Sequence, residues 1–181
     1  MLGALLSDTS RNWTLSEILE ATKWTDQVHV AGAGQALKEA GLVEITESSS
    51  RTVALGPEGL NAAKNGLLEG RIWNWLLQSK DSERNMQGLF SAGFERHEAG
   101  PGVGLLKSLG VKVESGSFVW QDQEEVSANI ENRTSFINSL AETAQDADTL
   151  DASLIDHFQN RKGLIEIENS ISRNWTLTKD G

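Results

Sequence analysis

The 181-residue sequence contains no cysteine. That absence removes disulfides, thiolate zinc sites and thiol nucleophiles together. No apolar run approaches the length of a membrane span, and residues 1–15 lack the charged start and long apolar core of a secretory signal. The expectation is a cytoplasmic chain with no membrane partner, in which the Asn-Xaa-Thr triplets at Asn12, Asn132 and Asn174 are chance matches. His29, His97 and His157 are too scattered to ligate a metal, and no serine, histidine and acid carry a local nucleophile signature. No catalytic site and no cofactor are therefore expected within this chain.

Positive charge is also scarce. Sixteen Lys and Arg against 26 Asp and Glu give a net charge of −10. From Glu114 to Asp156 ten acids face one base, Arg133, so the remainder (16 acids, 15 bases) is close to neutral at −1. A protein that grips duplex nucleic acid needs a basic face, because phosphate neutralisation supplies most non-specific affinity. The helix expected over 26–40 offers only Lys38, against Asp26 and Glu39.

What the sequence does have is a stretch written twice, 122 positions apart. Gly41-Leu42-Val43-Glu44-Ile45 through Arg51, Leu55 and Gly59 recurs as Gly163-Leu164-Ile165-Glu166-Ile167 through Arg173, Leu177 and Gly181, with nine of nineteen positions identical. A weaker third copy, Leu106 to Val113, again places Leu-Lys ahead of a glycine and an aliphatic run. Repetition means one supersecondary unit used several times. In the first copy Val28, Ala31, Ala36, Leu37 and Ala40 have helical spacing, and Gly41 suits the left-handed residue past a helix end. Leu42–Ile45 alternates, Glu47-Ser48-Ser49-Ser50 reads as a turn, and Thr52–Leu55 reads as the returning strand. Upstream, Thr14-Leu15-Ser16-Glu17 is a capping-box pattern, and Thr25 or Asp26 can cap the next helix.

Two helices, a tight turn between them and a hairpin describe a winged helix-turn-helix. The fold class expected is α+β: tandem winged helix-turn-helix modules, three-helix units each with a small antiparallel β-hairpin wing, over 1–66, 67–121 and 122–181. A generic α+β hairpin unit is the alternative. Module one opens on a short helix with Leu2, Leu5 and Leu6, and Pro57 suits the first position of its last helix. Module two has helices around 71–77 and 82–90, a third leading up to Leu105, Leu106 and Leu109, the glycine cluster 100–104 as an interruption, and a wing turning at Ser115-Gly116. Trp73 and Trp75 lie two apart on one helix, so one belongs in the core and the other outside it. Module three has a long polar helix around Ile130, Phe136, Ile137 and Leu140, a helix around Leu150–Phe158, and the final hairpin. The hexapeptide Ser10–Leu15 recurs as Ser172–Leu177, once expected to enter a helix and once to be a strand.

In order, Gly41-Leu42-Val43-Glu44, Leu55-Gly56-Pro57-Glu58-Gly59 and Gly66-Leu67-Leu68-Glu69-Gly70-Arg71 resemble the N-terminal region of the archaeal and eukaryotic phenylalanyl-tRNA synthetase alpha subunit. The family pattern is a Gly-Leu-Val-Glu strand, a Leu-Thr-Glu-Glu-Gly helix entry and a Gly-Leu-Pro-Glu-Arg-Arg linker. Here Gly56-Pro57 replaces Thr-Glu, Leu68 the proline and Gly70 the first arginine. Gly104–Glu114 and Leu154–Leu177 look like the family's second and third wings, so the resemblance runs along nearly the whole chain. It implies a non-catalytic tRNA-binding region, either a fragment of the subunit or a stand-alone relative. The class II catalytic domain that binds ATP and phenylalanine lies outside the 181 residues, and that domain and the beta subunit are the implied protein partners. A DNA-binding regulator and a protein-interaction scaffold are the alternatives.

Candidate nucleic-acid contacts are Arg96 and His97 before the glycine cluster, and Lys107 and Lys112 after it. Lys38, Arg51, Arg161, Lys162 and Arg173 join them at expected helix ends and wings. They would meet phosphates without reading sequence. The competing reading is solvated faces and cations that complement helix dipoles. Gly32-Ala33-Gly34 is expected to permit close packing rather than to bind a dinucleotide.

Overall fold

The computed structural model describes residues 1–180. The chain is α+β, and its elements in order are α1 (Leu2–Leu5), β1 (Trp13–Thr14), α2 (Leu15–Thr22), α3 (Gln27–Glu39), β2 (Val43–Leu55), α4 (Pro57–Asn65) and α5 (Leu68–Gln78). After a 3-10 turn at Asp81–Glu83 come α6 (Met86–Ser91), α7 (Arg96–Lys107), β3 (Lys112–Glu114) and β4 (Ser117–Val119). The last elements are α8 (Gln123–Glu142), β5 (Gln145–Asp146), a 3-10 turn at Ala147–Thr149, α9 (Ala152–Gln159) and β6 (Ile165–Leu177). Among the described residues no helix is long and apolar enough to cross a membrane.

Local chemistry sets many of these boundaries. Thr14 and Glu17 close a reciprocal capping box on α2, Asp26 caps α3 through Val28 N–H at 2.8 Å, and Pro57 occupies the first turn of α4. Gly41 and Gly163 take φ +75° and +76° after α3 and α9, as left-handed helix exits require. The glycine cluster expected to interrupt the middle segment instead lies inside α7, which stays helical through Gly100-Pro101-Gly102. Gly102 faces α5: a Cβ there would overlap Ile72 Cδ1, so the glycine sets how closely the two helices approach. The helix expected over 82–90 is shorter, a 3-10 turn followed by α6 capped by Asn85.

The main departure concerns the outer hairpins. Neither forms. Thirteen residues from Val43 to Leu55 make one unbroken strand, and thirteen from Ile165 to Leu177 make another. The two are neighbours in a four-stranded sheet of order β1-β6-β2-β5. The middle hairpin does turn, and the contrast explains why. Ser115 and Gly116 have φ +50° and +86°, the double left-handed geometry of a two-residue hairpin. Glu47-Ser48-Ser49-Ser50-Arg51 and Asn169-Ser170-Ile171-Ser172-Arg173 contain no glycine, and Ile171 is β-branched. Those segments stay extended.

The described chain forms two compact units rather than three consecutive ones: residues 1–51 with 168–180, and residues 52–167. In the first, β2 lies beside the C-terminal part of β6. Ser48 and Ser172 share a hydroxyl hydrogen bond at 2.6 Å, as do Ser50 and Ser170. Ser49 therefore faces Ile171, its own equivalent in the repeat. On the other side of β6, Trp13 pairs with Trp175 and Thr14 with Asn174, while Thr176 Oγ1 donates to Asn12 Oδ1 at 2.9 Å. The identical hexapeptides thus lie antiparallel to each other. The core comprises Leu5, Trp13, Ile18, Val30, Val43 and Trp175. Trp175 is 2% exposed, and a Cβ on Gly34 would overlap its Nε1, so this glycine serves close packing, against β6 rather than within the helix-turn-helix, while a Cβ on Gly32 would meet open space.

In the second unit, Val53 pairs with Gln145 and Thr52 with Asp146, and Gly56 N–H donates to Leu164 O at 3.0 Å. Val53 holds the place in β2 that Trp175 holds in β6. Two apolar clusters share the twenty-residue α8: Val126 and Ile130 pack with Ile72, Trp73, Leu89 and Phe118, whereas Phe136, Ile137 and Leu140 pack with Val53, Phe158 and Leu164. Trp73 is buried with its Nε1 donating to Ser127 Oγ at 2.9 Å, and Trp75 is half-buried.

Truncating Trp175 to alanine removes the largest side chain that β6 gives to the first unit. The expected loss is about 3–5 kcal/mol there. Hydrogen exchange should show α2 and α3 amides losing protection while α5 and α8 amides keep theirs. An even loss over the chain would contradict this account. Gly34→Ala should act in the same direction, by about 1–3 kcal/mol of overpacking.

Candidate nucleic-acid interface

Within the second unit, several sequence-expected cations converge. An open groove of about 400 Å³ is lined by Arg71, His97, Arg161 and Lys162, together with Glu58, Asn61 and Glu98. Three elements supply the charges: α5 gives Arg71, the first turn of α7 gives His97 and Glu98, and the turn after α9 gives Arg161 and Lys162. Arg71 is tied to Glu98 at 2.7 Å and lies over the Phe94 ring. That hydrogen bond, with a second from the Glu95 backbone, holds the Glu98 carboxyl below the ordinary carboxylate value. Lys162 is exposed and has no acidic partner among the described residues.

Beneath this groove lies the most buried charge of the chain. Glu69 is fully buried in the first turn of α5. Arg161 grips it with a fork, Nη1 to Oε1 at 2.7 Å and Nη2 to Oε2 at 3.0 Å, and Arg133 of α8 adds a contact at 3.3 Å. Bidentate charge-assisted bonds of this kind are the strong class. Burial, the largest influence, pushes the Glu69 carboxyl up. The Arg161 hydrogen bonds and charge, a backbone hydrogen bond and the Arg133 charge outweigh it, so the group lies below its ordinary value. His157 stands 3.3 Å from Arg161 and edge-on to Phe158. Its burial, then the charges of Arg133 and Arg161, lower it to about 4, with Glu69 opposing. Arg161 is thus a positioning residue for this network as well as a wall of the groove.

The other expected contacts fall elsewhere. Arg96 and Lys107 are exposed at the two ends of α7, and Lys112 is exposed on β3. In the first unit, Lys38 and Arg173 border a smaller groove with Gln35, Ile45, Glu47 and Trp175, and Arg51 is exposed on β2. Arg173 is not a free cation, since its Nε contacts Glu47 Oε1 at 2.5 Å. Among the described residues no group of His, Cys, Asp or Glu is arranged to hold a metal ion.

Two charged residues, Arg71 in the groove and Glu69 buried behind it, are not among the contacts expected from the sequence. Arg71 is expected at the start of a helix and, by the resemblance, at the end of a linker, but not as a nucleic-acid contact; it lies within α5 and lines the groove. Glu69 carried a usable signal: with Ile72, Trp73 and Leu76 it has i, i+3, i+4, i+7 spacing, which puts a carboxylate on the apolar stripe and demands a cation. The identity of that cation, 92 residues onward, was not visible.

Removing the carboxylate leaves two arginines facing each other. Glu69→Gln should therefore destabilise the second unit by about 3–5 kcal/mol in chemical denaturation, as breaking buried pairs does. A loss under about 1 kcal/mol would mean the network behaves as a surface pair. His157 has a lowered folded pKa, so the unfolded chain takes up its proton first. Stability should decline as pH falls from about 6.5 toward about 4. The Glu69 contribution, present above its unfolded value, goes only below that, as pH falls through its depressed folded pKa. His157→Gln should flatten the upper limb of the stability–pH profile alone; an unchanged limb would contradict the assignment.

No model of a known protein family matches this sequence, and no curated protein matches it significantly.

Proposed function

We propose that this chain is a non-catalytic nucleic-acid-binding region made of winged-helix modules. Its ligand on this reading is tRNA, as for the N-terminal region of the phenylalanyl-tRNA synthetase alpha subunit that the sequence resembles. Catalysis would belong to a class II domain of a phenylalanine–tRNA ligase, and that domain and the beta subunit would be its protein partners, in a cytoplasmic setting. The observation that carries the reading is the element order over 68–119. A helix (α5) leads to Asn85, bridged to Ser117 of β4; two helices (α6, α7) and a tight hairpin (β3, β4) follow. A helix-turn-helix followed by a hairpin is the winged-helix order. The same order, with a long strand where the hairpin would be, runs from α1 to β2; from α8 to β6 a 3-10 turn and the single helix α9 precede the strand.

The groove bounded by Arg71, His97 and Lys162 suits phosphate contact by charge, without base reading. A duplex-DNA regulator is less well supported, because α3 presents Gln27, Val28, Ala31 and Gln35 with Lys38 as its one base. A second reading rests on that same face. An apolar groove of about 600 Å³ in the first unit is framed by Val28 and Ile171, 66% and 70% exposed. Those features favour protein contact there, as in an interaction scaffold.

If phosphates drive binding, tRNA affinity should fall linearly in log salt, with a slope near −0.7 to −0.9 per phosphate neutralised. Lys162→Ala should reduce that slope by about 1 and leave the fold intact. Binding that is absent at low salt, or no better for tRNA than for bulk RNA, would favour the scaffold reading.

A further inference from the structure

The first unit is assembled from residues 1–51 and 168–180, and β6 enters it as an arm from the second unit. Thr178 N–H donates to Leu42 O at 3.0 Å, Arg173 pairs with Glu47, and Trp175 is seated among Trp13, Val30 and Val43. The connection to this seat is quite different in character. Residues 169–172 of β6 and the facing residues 48–51 of β2 are exposed throughout, held to each other only by the two-stranded ladder and serine hydroxyls. A two-stranded ribbon without a covering layer is marginal in water. The connector opens easily, whereas the seat is deep and apolar.

Nothing about that seat ties it to its own chain's arm. The arm's hexapeptide Ser172–Leu177 lies antiparallel to the identical Ser10–Leu15, so its complement occurs once in every copy. The chain's own Arg51–Leu55 is a poor substitute. It would place Val53 where Trp175 fills the space against Gly34, and 47–51 has no glycine on which to reverse. The matching occupant of the seat is therefore residues 173–180, from this chain or from another copy.

We propose that residues 173–180 form an exchangeable arm whose partner is a second copy of this chain: two chains trade arms, each seated in the other's first unit. Exchange keeps every contact of the seat and changes only the connection. The balance is then set by the effective concentration of the tethered arm, on the order of millimolar for a short flexible tether. Monomers dominate at micromolar concentration and arm-exchanged, two-fold dimers accumulate near millimolar. This inference is independent of tRNA binding.

The absence of native cysteine makes the arm easy to report on. Full-length Asn12→Cys chains are mixed with full-length Thr176→Cys chains, warmed gently to free the arms, cooled and oxidised. Asn12 and Thr176 touch in the seat, so exchange holds the two thiols side by side, and the disulfide that chance encounter gives is measured from each variant alone. The covalent heterodimer should rise about tenfold or more between about 10 µM and about 1 mM, as the tether argument requires. A yield from the mixture no greater than from either variant alone would overturn the proposal. Sedimentation of the unmodified chain after the same treatment guards against misfolded variants: a dimer that persists on dilution supports exchange, and monomer alone at about 1 mM, the tether scale, contradicts it.

Discussion

Because nothing in 47–51 or 169–173 compels the backbone to reverse, β2 and β6 each run on for thirteen residues and pair with each other. Much of the architecture follows from that pairing. The first unit contains the longer first part of β2 and the longer last part of β6, and the second unit the remaining ends, so residues 168–180 are as much a part of the N-terminal unit as α1 is. The two strands share the same burial profile, buried toward both ends and exposed through the middle. Side-chain volume fits each half to its place: Trp175 against Gly34 in one unit, Val53 among Phe136, Phe158 and Leu164 in the other. Absence of a turn residue and a difference in size between two equivalent positions thus work in the same direction.

The second unit carries the chain's costliest polar group, and the candidate groove is built over it. Glu69 sits on the stripe of α5 that packs inward, and the arginines that neutralise it come from α8 and from the turn after α9. One ionic cluster therefore fixes three elements in place and holds Arg161 at the groove wall. Lys162, next in the chain, remains free of acidic partners among the described residues and faces the groove. The net charge of −10 leaves few such cations, so a tRNA-binding role would rest on position rather than on an overall positive field.

Local signals were legible in the sequence. The Thr14–Glu17 box, the Asp26 cap, Pro57 and the glycines at 41 and 163 all act where local chemistry places them, and helical spacing located α3, α8 and α9. The turn at Ser115-Gly116 was legible for the same reason. The outer hairpins were misjudged because serines are permitted in turns without compelling one; the missing glycine was the stronger signal. The pairing of Ser10–Leu15 with Ser172–Leu177, and of Glu69 with Arg161, joins residues far apart in sequence, where periodicity gives no information. For the groove, the reading found His97, Arg161 and Lys162 as charges but could not tell that they share one wall with Arg71.

The pairing of the repeats with each other is the claim on which the rest stands, and nuclear Overhauser contacts between α-protons test it directly. Leu42–Thr178 and Gly56–Leu164 are hydrogen-bonded pairs, so the alternate pairs Glu47–Arg173, Ser49–Ile171 and Arg51–Asn169 bring their α-carbons closest. Strong α-proton contacts between 47 and 173 and between 49 and 171 are the result expected. A strong contact between Glu47 and Arg51 instead would mean that each repeat folds back into its own hairpin, and would contradict the account.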